Sequence, residues 1–175
     1  MMQKQKSQLK AQKYEHIIHP IPPLFDSESK ILILGSLPSV KSREQNFFYG
    51  HPQNRFWKVL STIFNQPIPL TIEEKTNLAL SNKIALWDTI FSCDIIGSSD
   101  SSIKNVIPTD LKPILQKSKI QKIFCNGKTS GKYYEKYQMK EIGINAEILP
   151  STSPANAAFS LEKLIKIWKE KLILE

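Results

Sequence analysis

A chain of 175 residues is the size of one domain and long enough to bury a core of its own. Hydrophobic residues at 41% against 23% charged describe a soluble globular protein, and no apolar run approaches the ~20 residues that a membrane span needs. The net charge of +8 fits a polyanionic partner, although charge alone does not separate nucleic acid from a membrane surface.

Residues 1–16 read as a basic tail or arm, with Lys4, Lys6, Lys10 and Lys13 and no apolar core of a secretory signal, so a cytoplasmic protein is expected. A single domain is expected over 17–175, led in by the extended, proline-rich IIHPIPPLF at 17–25. Ile31 to Leu34 are four branched aliphatics in a row, the pattern of a strand buried on both faces. Gly35 breaks that run, and Ser36-Leu37-Pro38-Ser39 follow as a tight turn at the strand's carboxyl end, where open α/β sheets place their ligands. Three aromatics follow, Phe47, Phe48 and Tyr49, which cannot all face one pocket.

Asn54 stands at the N-cap of a helix expected over Arg55 to Phe64. Thr71 and Glu74 form a capping box for a second helix reaching Leu80. Further strands are expected at Ile84 to Trp87, closed by Asp88, at Ile123 to Cys125, and at Ala146 to Leu149. Residues 97–105 read as a loop, a helix is expected from Thr109, and another runs to Tyr137. A last helix spans Ser160 to about Leu172, with Leu161, Leu164, Ile165 and Trp168 inward. Strands alternating with helices imply a three-layer α/β/α sandwich around a mostly parallel four-stranded sheet.

Cys93 and Cys125 read as reduced, semi-buried thiols, and His16, His19 and His51 lack metal-ligand spacing, so no metal and no cofactor are expected. Gly127-Lys128-Thr129 mimics the end of a phosphate-binding loop, but the glycine needed five residues earlier is Lys122.

Three blocks in order carry a family resemblance: GSLPSVKS at 35–42 running on to FFYGHPQNRFW at 47–57, ALWD at 85–88, and PSTSPAN at 150–156. Together they resemble the uracil-DNA glycosylase superfamily, closest to its hypoxanthine (deoxyinosine) branch, over roughly Ile18 to Trp168. The resemblance implies removal of a deaminated base from DNA, by flipping it from the stack and hydrolysing its N-glycosidic bond. It implies a stacking role for Tyr49, a backbone cradle at Ser36 and Leu37, and base reading by Asp88, with Asp100 as the rival carboxylate. It assigns catalysis to Asn54, which would orient water or a substrate carbonyl. DNA contacts are implied for Ser39, Lys41 and Ser42, and for Ser151, Thr152, Ser153, Pro154 and Asn156 of the wedge loop.

Departures from the family pattern matter too. Leu37 occupies the place where efficient branches carry Asp or Asn to position water, and PSTSPAN lacks their histidine. Two cysteines cannot ligate the iron–sulfur cluster of some members. A monofunctional, monomeric deoxyinosine glycosylase is therefore expected, associated with the nucleoid. A uracil- or mismatch-specific enzyme and a non-catalytic DNA-binding module on the same fold are the alternatives.

Overall fold

The computed structural model describes residues 13–173. Its centre is a four-stranded, wholly parallel sheet in the order β3 (Ile84–Asp88), β2 (Ile31–Gly35), β6 (Lys122–Asn126), β7 (Ala146–Leu149). Each strand alternates its side chains between two cores. Ile33, Ile84, Leu86 and Phe124 join α2 (Phe56–Ile63), α3 (Ile72–Ser81) and α7 (Leu161–Leu172) on one face. Leu32, Leu34, Ala85 and Cys125 join α4 (Lys112–Gln116), α5 (Lys128–Tyr137) and α6 (Met139–Ile142) on the other. The three-layer sandwich expected from the aliphatic runs is the fold.

Caps set several helix starts. The Thr71–Glu74 capping box is present, and the Ser160 hydroxyl accepts from Lys163 N. Thr109 does not open α4, which starts three residues later with Pro113 in its first turn. Leu161 is exposed instead of inward, because it sits at the very start of α7, while Leu164, Trp168 and Leu172 carry the buried stripe.

A second sheet was not expected. β1 (Glu15–Ile18), β4 (Ile90–Ile95) and β5 (Lys104–Pro108) form an antiparallel sheet in the order β1-β4-β5. The described fold thus begins inside the segment read as a tail, and β5 takes over the end of the expected 97–105 loop. Its strands are short, half-exposed and interrupted by register shifts between β4 and β5, so no clean alternation marked them. Beyond β1, the chain runs antiparallel beside β3, where Leu24 and Leu86 exchange both backbone hydrogen bonds at 2.9 Å.

Candidate active site

All four parallel strands end at one cavity of about 450 Å³. It sits where the strand order reverses between β2 and β6, the crevice that open α/β sheets reserve for ligands. β2 supplies Gly35 to Ser39, β3 supplies Asp88, β6 supplies Asn126 to Thr129, and the segment after β7 supplies Ser151 to Ser153. Tyr49 and Asn54 close a side, and the 98–101 turn forms a rim.

Asp88 lies on the floor and is almost wholly buried. Its Oδ2 accepts from His19 Nε2 at 2.7 Å, and its backbone oxygen accepts from Thr109 Oγ1 at 2.6 Å. Its Oδ1 has no hydrogen-bond partner among the described residues and stands where a Cβ on residue 35 would be, 2.3 Å from that position. Gly35 is required here by space, since any side chain would drive the carboxylate off the floor.

Tyr49 stacks on Phe56, ring centroids 4.0 Å apart, and Phe56 meets Trp168 edge-on. Its backbone is left-handed at φ 52°, a strained state for an aromatic residue. The hydroxyl is buried and unpartnered, with Asn126 nearby but out of bonding geometry; burial, and then the charge of Asp88, push its pKa up, so it stays a neutral donor. Phe47 and Phe48 are core, and Phe48 and Tyr49 both line the cavity.

Asn54 is held at both lone pairs. Its Oδ1 accepts at 2.9 Å from the amide of Phe56, the first residue of α2, and from Thr152 Oγ1 at 2.9 Å; the N-cap is Arg55, one residue later than expected, and carries no side-chain cap bond. Because Phe56 N–H can only donate, the oxygen must face it, and the NH2 group is left without a partner among the described residues. The oxygen is thus spent beside the start of α2, and Asn54 lines the cavity with its NH2 group unspent among the described residues.

The backbone amides of Ser36 and Leu37 have no acceptor among the described residues, as a cradle for developing negative charge requires. The Leu37 side chain packs on the cluster of Ile90, Cys93 and Ile95, anchoring the turn to the small sheet. That apolar anchorage explains why the position holds no water-orienting group.

Two residues expected to touch DNA are buried. Thr152 is fully buried; its hydroxyl accepts from Asn126 Nδ2 at 3.0 Å and donates to Asn54, and its amide donates to Asn126 Oδ1. Ser42 is buried too, its hydroxyl accepting from Gly50 N and from Ser39 Oγ. Neither hydroxyl can reach a phosphate. Ser39 caps the short helix α1 (Val40–Gln45) at the cavity edge, and Lys41 is exposed beside Glu44. Ser151 and Ser153 line the cavity while accepting from loop amides, Pro154 is exposed at the tip, and Asn156 Nδ2 is spent on Ser151 O.

Asp100 stands on the rim, in a single 3₁₀ turn; burial raises its carboxyl pKa, with Thr129 pulling the other way, although the residue as a whole is exposed. His51 stays outside the cavity and accepts from Gln53 N. Burial pushes Cys125 up to about 11, leaving it an inert thiol.

Three residues with no assigned role prove central. Arg55 staples the 152–159 loop through the carbonyls of Thr152, Ser153, Asn156 and Phe159. Asn126 and His19 are the others. Asn126 ends a buried apolar run just as Asp88 does, and the GKT that follows it mimics a phosphate-binding loop. No group of three or more His, Cys, Asp or Glu suited to a metal occurs among the described residues. No helix there is long and apolar enough to cross a membrane.

The model of the uracil DNA glycosylase superfamily matches residues 22–172. The chain belongs to that superfamily. Among curated relatives, a hypoxanthine DNA glycosylase of Methanosarcina acetivorans is 32% identical over 141 residues, covering 79% of this chain and 88% of its own. One from Methanosarcina barkeri is 33% identical over 156 residues, covering 85% and 94%. A solution NMR structure of a Methanosarcina acetivorans protein, described as a candidate uracil DNA glycosylase, superposes with a TM-score of 0.76 at 31% identity, over 89% of this chain and 97% of that one.

Proposed function

We propose that this protein is a monofunctional DNA glycosylase that removes hypoxanthine from deoxyinosine sites. One observation carries the reading: a cavity at the strand ends holds an acceptor-only carboxylate oxygen, Asp88 Oδ1, and a donor-only amide, Asn54 Nδ2. Hypoxanthine presents the complementary pattern, N1–H to donate and carbonyl or ring-nitrogen lone pairs to accept. Two relatives named for that activity support the same assignment.

In the reaction, the bond from C1′ to N9 breaks with its electron pair left on the base. Asn54 Nδ2 and the amides of Ser36 and Leu37 stabilise the charge that develops there. A water oxygen bonds to the cationic C1′ and loses a proton, and the base takes up one proton to leave neutral. Asn54 cannot act as a general base, because an amide does not titrate; its oxygen is also occupied. The rate rests on electrostatic preorganisation.

DNA is gripped from both sides of the cavity mouth in this reading. Lys41 on α1 and the free N-terminal amides of α5 at Lys128 and Thr129 face phosphates, and Pro154-Ala155, exposed at the tip of the stapled loop, wedge into the groove.

Single-turnover cleavage of matched duplexes containing one deoxyinosine, deoxyuridine or deoxyxanthosine, with alkali to break abasic sites, tests it. Breakage foremost at deoxyinosine is expected. Breakage mainly at deoxyuridine would make the enzyme a uracil-type member, and salt-sensitive binding without any breakage would make it a binding module.

A further inference from the structure

His19 is the one buried histidine whose both nitrogens are spoken for, and its surroundings fix its protonation pattern. Nδ1 accepts from Ile21 N at 3.2 Å, so that nitrogen carries no proton and Nε2 must. Nε2–H then donates to Asp88 Oδ2 at 2.7 Å. The ring cannot swing away. His19 N is bonded to Phe91 O at 2.7 Å, the imidazole meets Trp87 edge-on at 5.9 Å, and Trp87 Nε1 is bonded to Ile21 O at 3.0 Å. The 19–24 segment is in turn paired to β3 through Leu24 and Leu86.

Burying a carboxylate without a cationic partner is costly. Around Asp88 the described neighbours are the neutral imidazole, the neutral Tyr49 hydroxyl and the Thr109 hydroxyl bonded to its backbone oxygen; no lysine or arginine pairs with it. A lysine there would satisfy the carboxylate and cancel its charge. A neutral imidazole orients one oxygen and leaves the other an unsatisfied anionic acceptor facing the cavity. Such an oxygen discriminates between adenine and its deaminated product. Adenine presents a bare lone pair at N1, which the carboxylate repels, whereas hypoxanthine presents N1–H.

Resting on the deoxyinosine reading above, we propose that His19 is a positioning residue that holds Asp88 as an acceptor-only group and so makes the floor select a base edge bearing an N–H. Gly35 completes the clamp from the opposite side by leaving room for Oδ1.

The test compares wild type with His19→Leu and His19→Gln in single-turnover cleavage of deoxyinosine duplex, after thermal melts establish that each variant is folded. His19→Leu should lower the maximal rate about tenfold or more, the scale at which loss of an orienting outer-shell partner acts, with half-saturation little changed. His19→Gln carries an amide N–H at the reach of Nε2 and should restore most of that rate, which a merely structural role for the ring would not produce. Should His19→Leu fail to fold, His19→Asn, whose shorter amide cannot reach Oδ2, takes its place with the same loss expected, and a folded His19→Asn at wild-type rate overturns the proposal. A folded His19→Leu at wild-type rate overturns the proposal, and so does a folded His19→Gln as slow as His19→Leu. If wild type releases no hypoxanthine at all, the deoxyinosine reading fails instead. The clamp is then decided by the imidazole 15N spectrum at neutral pH: a proton on Nε2 and none on Nδ1 supports it, and a proton on Nδ1 overturns it.

Discussion

The floor of the cavity and the loop beside it are built on opposite plans. On the floor, Gly35, Asp88 and Asn126 sit on strand ends locked in a parallel ladder, and the Asp88 carboxylate is half-used: its Oδ1 has no partner among the described residues. In the 150–159 loop, most polar groups are spent on protein partners. Thr152 serves Asn54 and Asn126, Asn156 serves Ser151, and Arg55 collects the carbonyls, while Pro154 and Ala155 stand exposed at the tip. The floor keeps a carboxylate oxygen open toward the cavity, whereas the loop spends most of its polar atoms on holding its own shape.

Breaking the floor should cost most. Asn54→Asp keeps the oxygen that accepts from Phe56 N and Thr152 Oγ1 but removes the donor, so the cleavage rate on deoxyinosine should fall by about 10²-fold or more. Affinity for the intact site, measured by fluorescence anisotropy, should stay within about tenfold, and a large loss of affinity at normal rate would remove Asn54 from catalysis. Asp88→Asn should come next. Its oxygen can still accept from His19, which turns an NH2 toward the cavity, so the ratio of deoxyinosine to deoxyuridine cleavage should drop by about tenfold or more. An unchanged ratio would take Asp88 out of base reading.

Breaking the loop should act on binding and stability. Arg55→Ala removes a charged donor shared among several carbonyls and should destabilise the fold by about 2 kcal/mol, read from urea unfolding, with weakened DNA affinity as the wedge loosens. A normal melt would show that the loop holds itself. The smallest effect belongs to Lys41→Ala, on an exposed side chain outside both regions. It should lower the slope of log affinity against log salt by about 1 and leave the cleavage rate at saturation alone.

Features written in neighbouring residues follow from the chain alone. The apolar runs at 31–34 and 123–125 specify buried parallel strands, Thr71 and Glu74 specify a helix start, and the GSLPS turn lines the cavity. Asp88 ends β3 and Asn54 stands just before α2, whereas Tyr49 lies in the turn between α1 and α2 and is marked only by the family resemblance. Partnerships between distant segments come only from the assembled fold. Asp88 and His19 lie 69 residues apart, Thr152 and Asn54 lie 98 apart, and nothing near either serine or threonine hydroxyl distinguished a buried hub from a phosphate contact. The antiparallel sheet was hidden likewise, because its short, half-exposed strands have a hydrophobic pattern only once they pair. Local sequence sets backbone conformation and capping through contacts a few residues long. Which polar atoms remain unspent is a property of the whole fold, since each is counted only after every distant donor and acceptor has been placed.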